Sequence, residues 1–370
     1  MAQICEGKAN INLSDGVFFN PKMKGLRDLS VAYVKSTSIG ENSLLDSTSA
    51  TGVRGIRYYL ESGIKNITFL EINRRAYLNT VHNTNLNGLE CIILNKSIQE
   101  FANSHDGAFD FIDLDPFGSA APYVFDLMKI SKDKTSLMVT GTDTAVLCGA
   151  HSSACLKEYF VNPIHNELCH EFGLRILACF IARNAAQFNF GINIDIAIAN
   201  MHYMRIFAKL RKGAKEALES VKKCGYLLHC NNCRNFKVVN AESIDGRKCD
   251  YCGGDMNLYG PIWLGSLSNK ETIKKIIEDY NQEYDTEMLS MLKKIYEEQD
   301  TPFFFSLPKI TKYMHIGSIS RRSVIEKLAA RGFSVSASHT DKDSLKGNFS
   351  IGDVVEAIKE ASKASKIKGL

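Results

Sequence analysis

The segment Phe109-Asp110-Phe111-Ile112-Asp113-Leu114-Asp115-Pro116-Phe117-Gly118 holds the residues best suited to chemistry. Apolar residues alternate up to Leu114, which predicts a core strand. Pro116 has no N–H to offer a ladder, so the strand must stop before it. Asp115 then stands at the carboxyl end of the strand, the edge where open α/β sheets bind ligands. A hydrogen-bond acceptor, a turn-fixing proline and the planar ring of Phe117 can grip the edge and face of a nucleobase while its exocyclic amine reacts. The same residues also suit a plain strand-to-helix turn in which Asp115 only caps the next helix.

A second constellation is Asp46-Ser47-Thr48-Ser49-Ala50-Thr51-Gly52-Val53-Arg54-Gly55, with two glycines before a helix-like stretch at 56–60. Glycine there lets the backbone approach a ligand closely. Glu71 follows Gly52 by 19 residues, at the end of the next predicted strand. That spacing matches a carboxylate holding ribose hydroxyls in a nucleoside-binding βαβ unit. The pattern is G-x-x-G, without the G-x-G-x-x-G of dinucleotide sites. S-adenosylmethionine therefore fits better, because it has a ribose but no pyrophosphate. A tight turn followed by a surface glutamate would leave the same trace.

Cys230-x-x-Cys233 and Cys249-x-x-Cys252 are separated by 15 residues, within the zinc-site range. Four thiolates would close a tetrahedral sphere around Zn²⁺, so the site is expected to be structural. Gly253 and Gly254 suit the knuckle turn. Cys5, Cys91, Cys148, Cys155, Cys169, Cys179 and Cys224 show no such pairing and read as core or surface thiols.

Strands to position these groups are predicted at 66–71, 91–94, 109–114 and 136–140, alternating with helices at 74–85 and 122–130. This rhythm predicts an α/β fold with a mainly parallel sheet. After a helix at 170–187, strands at 192–199 and 204–210 lie too close for a crossover helix and must pair antiparallel. That ending suits a class I, Rossmann-like methyltransferase better than a dehydrogenase. Composition shifts near 211–213, which divides the chain into a methyltransferase domain, 1–212, and a smaller α+β domain, 213–370, with its zinc knuckle at about 228–259. Beyond it, a charged helical stretch from 270 to about 298, a helix at 320–330, a hairpin within 333–350 and a helix at 352–364 read as winged-helix-like.

The 370 residues are 45% hydrophobic and 23% charged, with net charge +4, ordinary for a globular chain and compatible with a polyanionic partner. No apolar run reaches membrane-span length, and the first residues lack a basic region followed by an apolar core. A cytoplasmic monomer with reduced cysteines is the expectation.

Many blocks in order carry a family resemblance, covering nearly the whole chain. They include Glu6-Gly7-Lys8-Ala9, Phe18-Phe19-Asn20-Pro21, Arg27-Asp28-Leu29-Ser30, Ala50 to Tyr58, the Asp-Leu-Asp-Pro-Phe-Gly-Ser block, Thr140 to Gly149 and His170 to Leu177. The chain resembles the tRNA (guanine-26, N2) dimethyltransferases, in length the archaeal members. The resemblance implies S-adenosylmethionine as methyl donor, with Arg27, Arg54 and Glu71 as its contacts, and tRNA as partner, held by the C-terminal half. It implies Asp115 as catalytic acceptor, with Phe18 and Phe117 around the target guanine and the Pro116 carbonyl nearby. Where the family often has Asp this chain has Glu71, and where it usually has Asp-Ala to hold the adenine it has Ser97 and Ile98. Ser97 can accept only a weaker, neutral hydrogen bond. Lys222, Lys223, Arg234, Lys237, Arg247, Lys248, Arg321 and Arg322 are candidate phosphate contacts. Two other classes stay open: an adenine-N6 or cytosine-N4 methyltransferase, against which Phe117 stands in place of a second proline, and an inactive zinc-stabilised RNA-binding homologue.

Overall fold

The alternating first half builds a seven-stranded sheet in a computed structural model, which describes residues 2–200, 202–244 and 246–368. A hairpin of β1 (Ala2–Glu6) and β2 (Ala9–Leu13) comes first. Then follow α1 (Lys24–Thr37), β3 (Ser43–Asp46), α2 (Val53–Arg57), β4 (Asn66–Leu70), α3 (Arg74–Leu86), β5 (Ile92–Leu94), α4 (Ile98–Ser104), β6 (Phe109–Leu114), α5 (Ala121–Lys129) and β7 (Ser131–Gly141). After α6 (Thr144–Leu147), α7 (Ser152–Tyr159) and α8 (Cys169–Ala186), the sheet is completed by β8 (Phe190–Asn200) and β9 (Tyr203–Lys212). The strand order is β5-β4-β3-β6-β7-β9-β8. β3 to β7 are parallel to one another, and β9 runs antiparallel to β7 and β8. The expected mainly parallel sheet with an antiparallel end is what forms.

Helices cover both faces, so the central strands are apolar on both sides. Phe109, Phe111, Ile112 and Leu114 of β6 are all buried. Each such side chain contributes about 1.5–3 kcal/mol relative to exposure. One core joins the sheet to α5 and α8 through Leu127, Leu137, Phe172 and Leu177. The other joins it to α1 and α2 through Leu29, Ile56, Phe69 and Phe207.

Both cores continue past residue 212. α9 (Ala214–Lys222) leads into an antiparallel sheet of β10 (Cys224–Cys230), β11 (Phe236–Val239) and β12 (Met256–Trp263). Its Leu227, Ile262 and Trp263 belong to the first core. α10 (Lys270–Glu278) and α11 (Thr286–Glu297) send Ile273, Ile276, Met288 and Leu292 into the second. The single charged helix expected over 270–298 is thus two. Asp285 breaks it: its side chain caps α11 by accepting from Met288 N–H at 2.7 Å, while its own N–H donates to Asp28 of α1 at 2.9 Å.

The last segment has its own core, built from residues such as Phe305, Ile310, Val324, Leu328, Leu345 and Val354. It comprises β13 (Phe305–Ser306), α12 (Leu307–Tyr313), α13 (Arg321–Ala330), the hairpin β14 (Ser336–Ser338) and β15 (Asp341–Lys346), and α14 (Ile351–Lys368). The expected helix–hairpin–helix order is present, and β13 adds a strand beside β15. Among the described residues, no helix is long and apolar enough to cross a membrane.

Candidate active site

Because β3 to β7 are parallel and in register, their carboxyl ends share one edge. A cavity of about 530 Å³ opens there. It lies at the switch point where strand order reverses, between β3 and β6. Its walls are the loops that leave the strands: residues 46–51 after β3, Glu71 and Ile72 after β4, 96–99 after β5, 115–117 after β6 and Thr142 after β7. Phe18, Phe19, Asn20, Met23 and Arg27 contribute from the segment after β2.

Asp115 follows β6 as expected, and its backbone N–H donates to Thr48 Oγ1 at 3.0 Å. Its carboxylate pairs directly with the Arg54 guanidinium. The side chain keeps 21% exposure toward the cavity. Burial pushes its pKa up, but the positive charges of Arg54 and Arg205 and hydrogen bonds outweigh that, and the net effect holds it below the usual value. Asp115 is therefore an ionised acceptor at the cavity wall, and it does not cap a helix: the N-cap of α5 is Ala120.

Arg54 is itself held from behind. It donates to Ser30 Oγ at 3.1 Å, and its Nε lies 3.7 Å from the fully buried Asp113. Asp113 also accepts from Tyr58 and from Arg205, the latter at 2.8 Å. Buried charges persist only when paired in this way.

Phe18 and Phe117 stand at the mouth, 54% and 71% exposed. Their rings meet edge to face, with centroids 4.6 Å apart and planes at 85°. Two large rings exposed together beside an ionised acceptor can offer apolar faces and edges to a planar group.

Glu71 sits across the cavity, where its carboxylate accepts from the N–H groups of Ala50 and Asn73, both at 2.8 Å. Arg27 lines the cavity with its guanidinium gripped by Glu6 and by the Asn20 carbonyl at 3.2 Å. Ser97 and Ile98 line it at the start of α4. The Ser97 hydroxyl is committed to a capping box: it accepts from Glu100 N–H at 3.1 Å and donates to the Glu100 carboxylate at 2.8 Å.

The structure thus brings Phe18, Arg27, Arg54, Glu71, Ser97, Ile98, Asp115, Pro116 and Phe117 to one cavity. Gly52 is not among its lining residues. Its glycine identity answers a backbone need instead, since φ is +78° at the start of α2 and a Cβ would stand 3.0 Å from Thr80 Cγ2. Gly55 is required by packing, because a Cβ there would come within 2.2 Å of the Phe69 ring.

Asp46, Tyr58 and Asp113 stand inside the sequence motifs without an assigned role, and Arg205 lies outside them. The available signal was a charge inside an apolar strand, as in Phe-Ile-Asp113-Leu and Met-Arg205-Ile-Phe. Such residues are rarely fully buried without a partner. His202, between β8 and β9, also reaches the cavity.

The four cysteines of the two C-x-x-C pairs converge at the end of β10 and in the loops that flank β11, with all four sulfurs within 4.8 Å of one another. Cys230 and Cys252 are 3.5 Å apart, as are Cys233 and Cys249. These gaps are too long for disulfides and close to the edge of a tetrahedron with bonds of about 2.3 Å.

Comparison with known proteins places the chain among relatives along its whole length. The family described as N2,N2-dimethylguanosine tRNA methyltransferase matches residues 2–359. A tRNA (guanine(26)-N(2))-dimethyltransferase of Methanothermobacter thermautotrophicus is 32% identical over 374 residues, covering 97% of this chain and 98% of that protein. The enzyme of the same name from Archaeoglobus fulgidus is 33% identical over 337 residues, covering 91% and 93%. The solved structure of Trm1 from Pyrococcus horikoshii with S-adenosyl-L-methionine superposes with a TM-score of 0.88 at 31% identity, covering 96% of this chain and 99% of that one. A shared fold, an ionised Asp115 at the switch-point cavity and full-length similarity together make this chain a member of the N2,N2-dimethylguanosine tRNA methyltransferase family.

Proposed function

We infer that this protein is an S-adenosylmethionine-dependent tRNA methyltransferase that adds methyl groups to the exocyclic N2 of guanine 26. The observation that carries the reading is Asp115, ionised by Arg54 and flanked by the exposed Phe18–Phe117 pair at the cavity mouth.

Guanine N2 is a weak nucleophile because its lone pair is delocalised into the ring. Asp115 accepts a hydrogen bond from the amine, with the Pro116 carbonyl as a second acceptor. This orients the lone pair and stabilises the positive charge that grows only in the transition state. Asp115 then takes the proton. Arg54 keeps the carboxylate in place, Asp113 holds Arg54 from behind, and Tyr58 and Arg205 hold Asp113. S-adenosylmethionine, when bound, supplies an electrophilic methyl on a sulfonium. A stacked guanine must leave its stem to reach the cavity. Phe18 and Phe117 replace the lost stacking, and their edge-to-face contact has to open to admit the base.

Glu71 holds the ribose hydroxyls, and Arg27 and Arg54 border the methionine end of the donor. The Ser97 hydroxyl is committed to its cap, so the adenine is left to the backbone around Ile98. Glu71→Ala is expected to weaken donor binding roughly 10- to 100-fold, the loss of one or two hydrogen bonds to a charged acceptor. Calorimetry reads this directly, and an unchanged Kd would remove Glu71 from the site.

Asp46, at the end of β3, supports a pH test. Burial first, then the neighbouring Asp113 charge, push its carboxyl up to about 7. Below that pH the free protein holds a proton there, which a cationic ligand must displace. Donor affinity is therefore expected to rise with pH up to and through about 7, by at most roughly tenfold per unit for one proton, and to level off above. Asp46→Asn is expected to flatten the profile. A flat wild-type profile would overturn the linkage.

The segment 213–370 is read as the tRNA-binding region, with Cys230, Cys233, Cys249 and Cys252 holding one structural Zn²⁺. Zinc supplies rigidity there, with no open position for catalysis. Candidate basic residues Lys222, Lys248 and Arg322 form exposed pairs with acids at 3.1, 2.7 and 3.0 Å, weak contacts that a phosphate can displace. A cytoplasmic monomer is consistent with this reading. Mass spectrometry of unmodified tRNA after incubation with protein and donor tests it. Methyl on N2 of guanine 26 is expected, and methylated adenine, cytosine or no product would overturn it.

A further inference from the structure

Outside the cavity, Cys148, Cys169 and His170 form a second cluster of soft ligands. Their ligand atoms all lie within 4.8 Å of one another. Cys148 ends α6, whereas Cys169 and His170 open α8. His170 Nδ1 stands 3.7 Å from Cys169 Sγ. Around a zinc ion with bonds of about 2.3 Å to sulfur and about 2.0 Å to nitrogen, that tetrahedral edge is about 3.5 Å. The pair therefore already has near-ligand spacing. The Cys148 backbone is held as well, since the His165 ring bonds its carbonyl oxygen at 2.9 Å.

We propose that Cys148, Cys169 and His170 bind a Zn²⁺ ion, with water as the fourth ligand. The donor set carries the choice of metal. Two thiolates and an imidazole are soft to intermediate donors, which select zinc over magnesium or calcium, and their two negative charges neutralise the ion. The bound ion would staple the loop after β7, which sends Thr142 into the cavity wall, to the start of α8. This site shares no residue with the four-cysteine cluster or with the cavity.

The test is metal stoichiometry of the full chain, purified with a phosphine reductant and no chelator. Two zinc ions per chain are expected. Cys148→Ala and Cys169→Ser should each lose one, and so should Cys249→Ser, through the other site. Cobalt separates the two sites: in the Cys249→Ser protein, added Co²⁺ should still give thiolate-to-cobalt charge-transfer absorption. Adding Cys169→Ser should abolish it. The milder His170→Gln keeps the test usable if a cysteine variant misfolds, and should weaken cobalt binding at least tenfold. A single zinc that survives Cys148→Ala and Cys169→Ser would overturn the proposal. So would a Cys148–Cys169 disulfide found in protein freshly purified without reductant. Neither outcome depends on methyl transfer, so failure here and failure of the enzymatic reading are distinguishable.

Discussion

Asp115→Ala is expected to lower the methyl-transfer rate by on the order of 10²–10³ or more, the usual cost of losing one preorganised transition-state contact. The loss should fall on kcat and on kcat/KM for tRNA, because the contact to the amine strengthens as charge develops. Donor affinity should stay within a few fold, since Asp115 meets the base. The fold should survive. Arg54 loses one partner but keeps Ser30 at 3.1 Å and the buried Asp113 at 3.7 Å, so no buried cation is left alone. An unchanged melting temperature together with the rate loss would separate catalysis from structure. Because Asp115 is held below its usual pKa, acid loss of activity through this group should set in at lower pH than for an ordinary aspartate. Activity within tenfold of wild type in Asp115→Ala would remove this residue from the mechanism.

Replacing Cys249 by serine carries the second large expected effect. Structural zinc sites of this kind supply about 10–16 kcal/mol of binding free energy that is also folding free energy. The variant should lose one zinc ion per chain. Hydrogen exchange should accelerate across about 228–259, where Leu228, Cys230, Cys233, Cys249 and Met256 form a small core of their own. The change should stay local on the catalytic side. Leu227, Ile262 and Trp263, on the same strands, pack into the larger sheet core and do not need the metal. Donor affinity should therefore hold, while tRNA binding at fixed salt should weaken if the knuckle shapes the C-terminal surface. Elemental analysis that finds no metal at the four cysteines would overturn the site. Zinc loss with normal tRNA binding would leave it as scaffold only.

Elements whose signals are local are legible along the chain. The strand ending at Pro116, the G-x-x-G turn, the short gap before β9 and the two C-x-x-C pairs each act over a few residues, so spacing alone exposes them. From these a mainly parallel sheet and the position of Asp115 at its ligand edge follow, because parallel strands bring their carboxyl ends together; the strand order came only with the fold. Only the tertiary structure decided what joins residues far apart in the chain. The resemblance implies Arg54 as a donor contact; its grip on Asp115 across 61 residues, and that of Arg205 on Asp113 across 92, emerge only in the fold. Both cores run through the shift in composition near 212, because burial depends on which faces meet and not on where along the chain they lie. Cys148 and Cys169 look unpaired in the sequence for the same reason: 20 residues lie between them, and only the packing of α6 against α8 brings their sulfurs together.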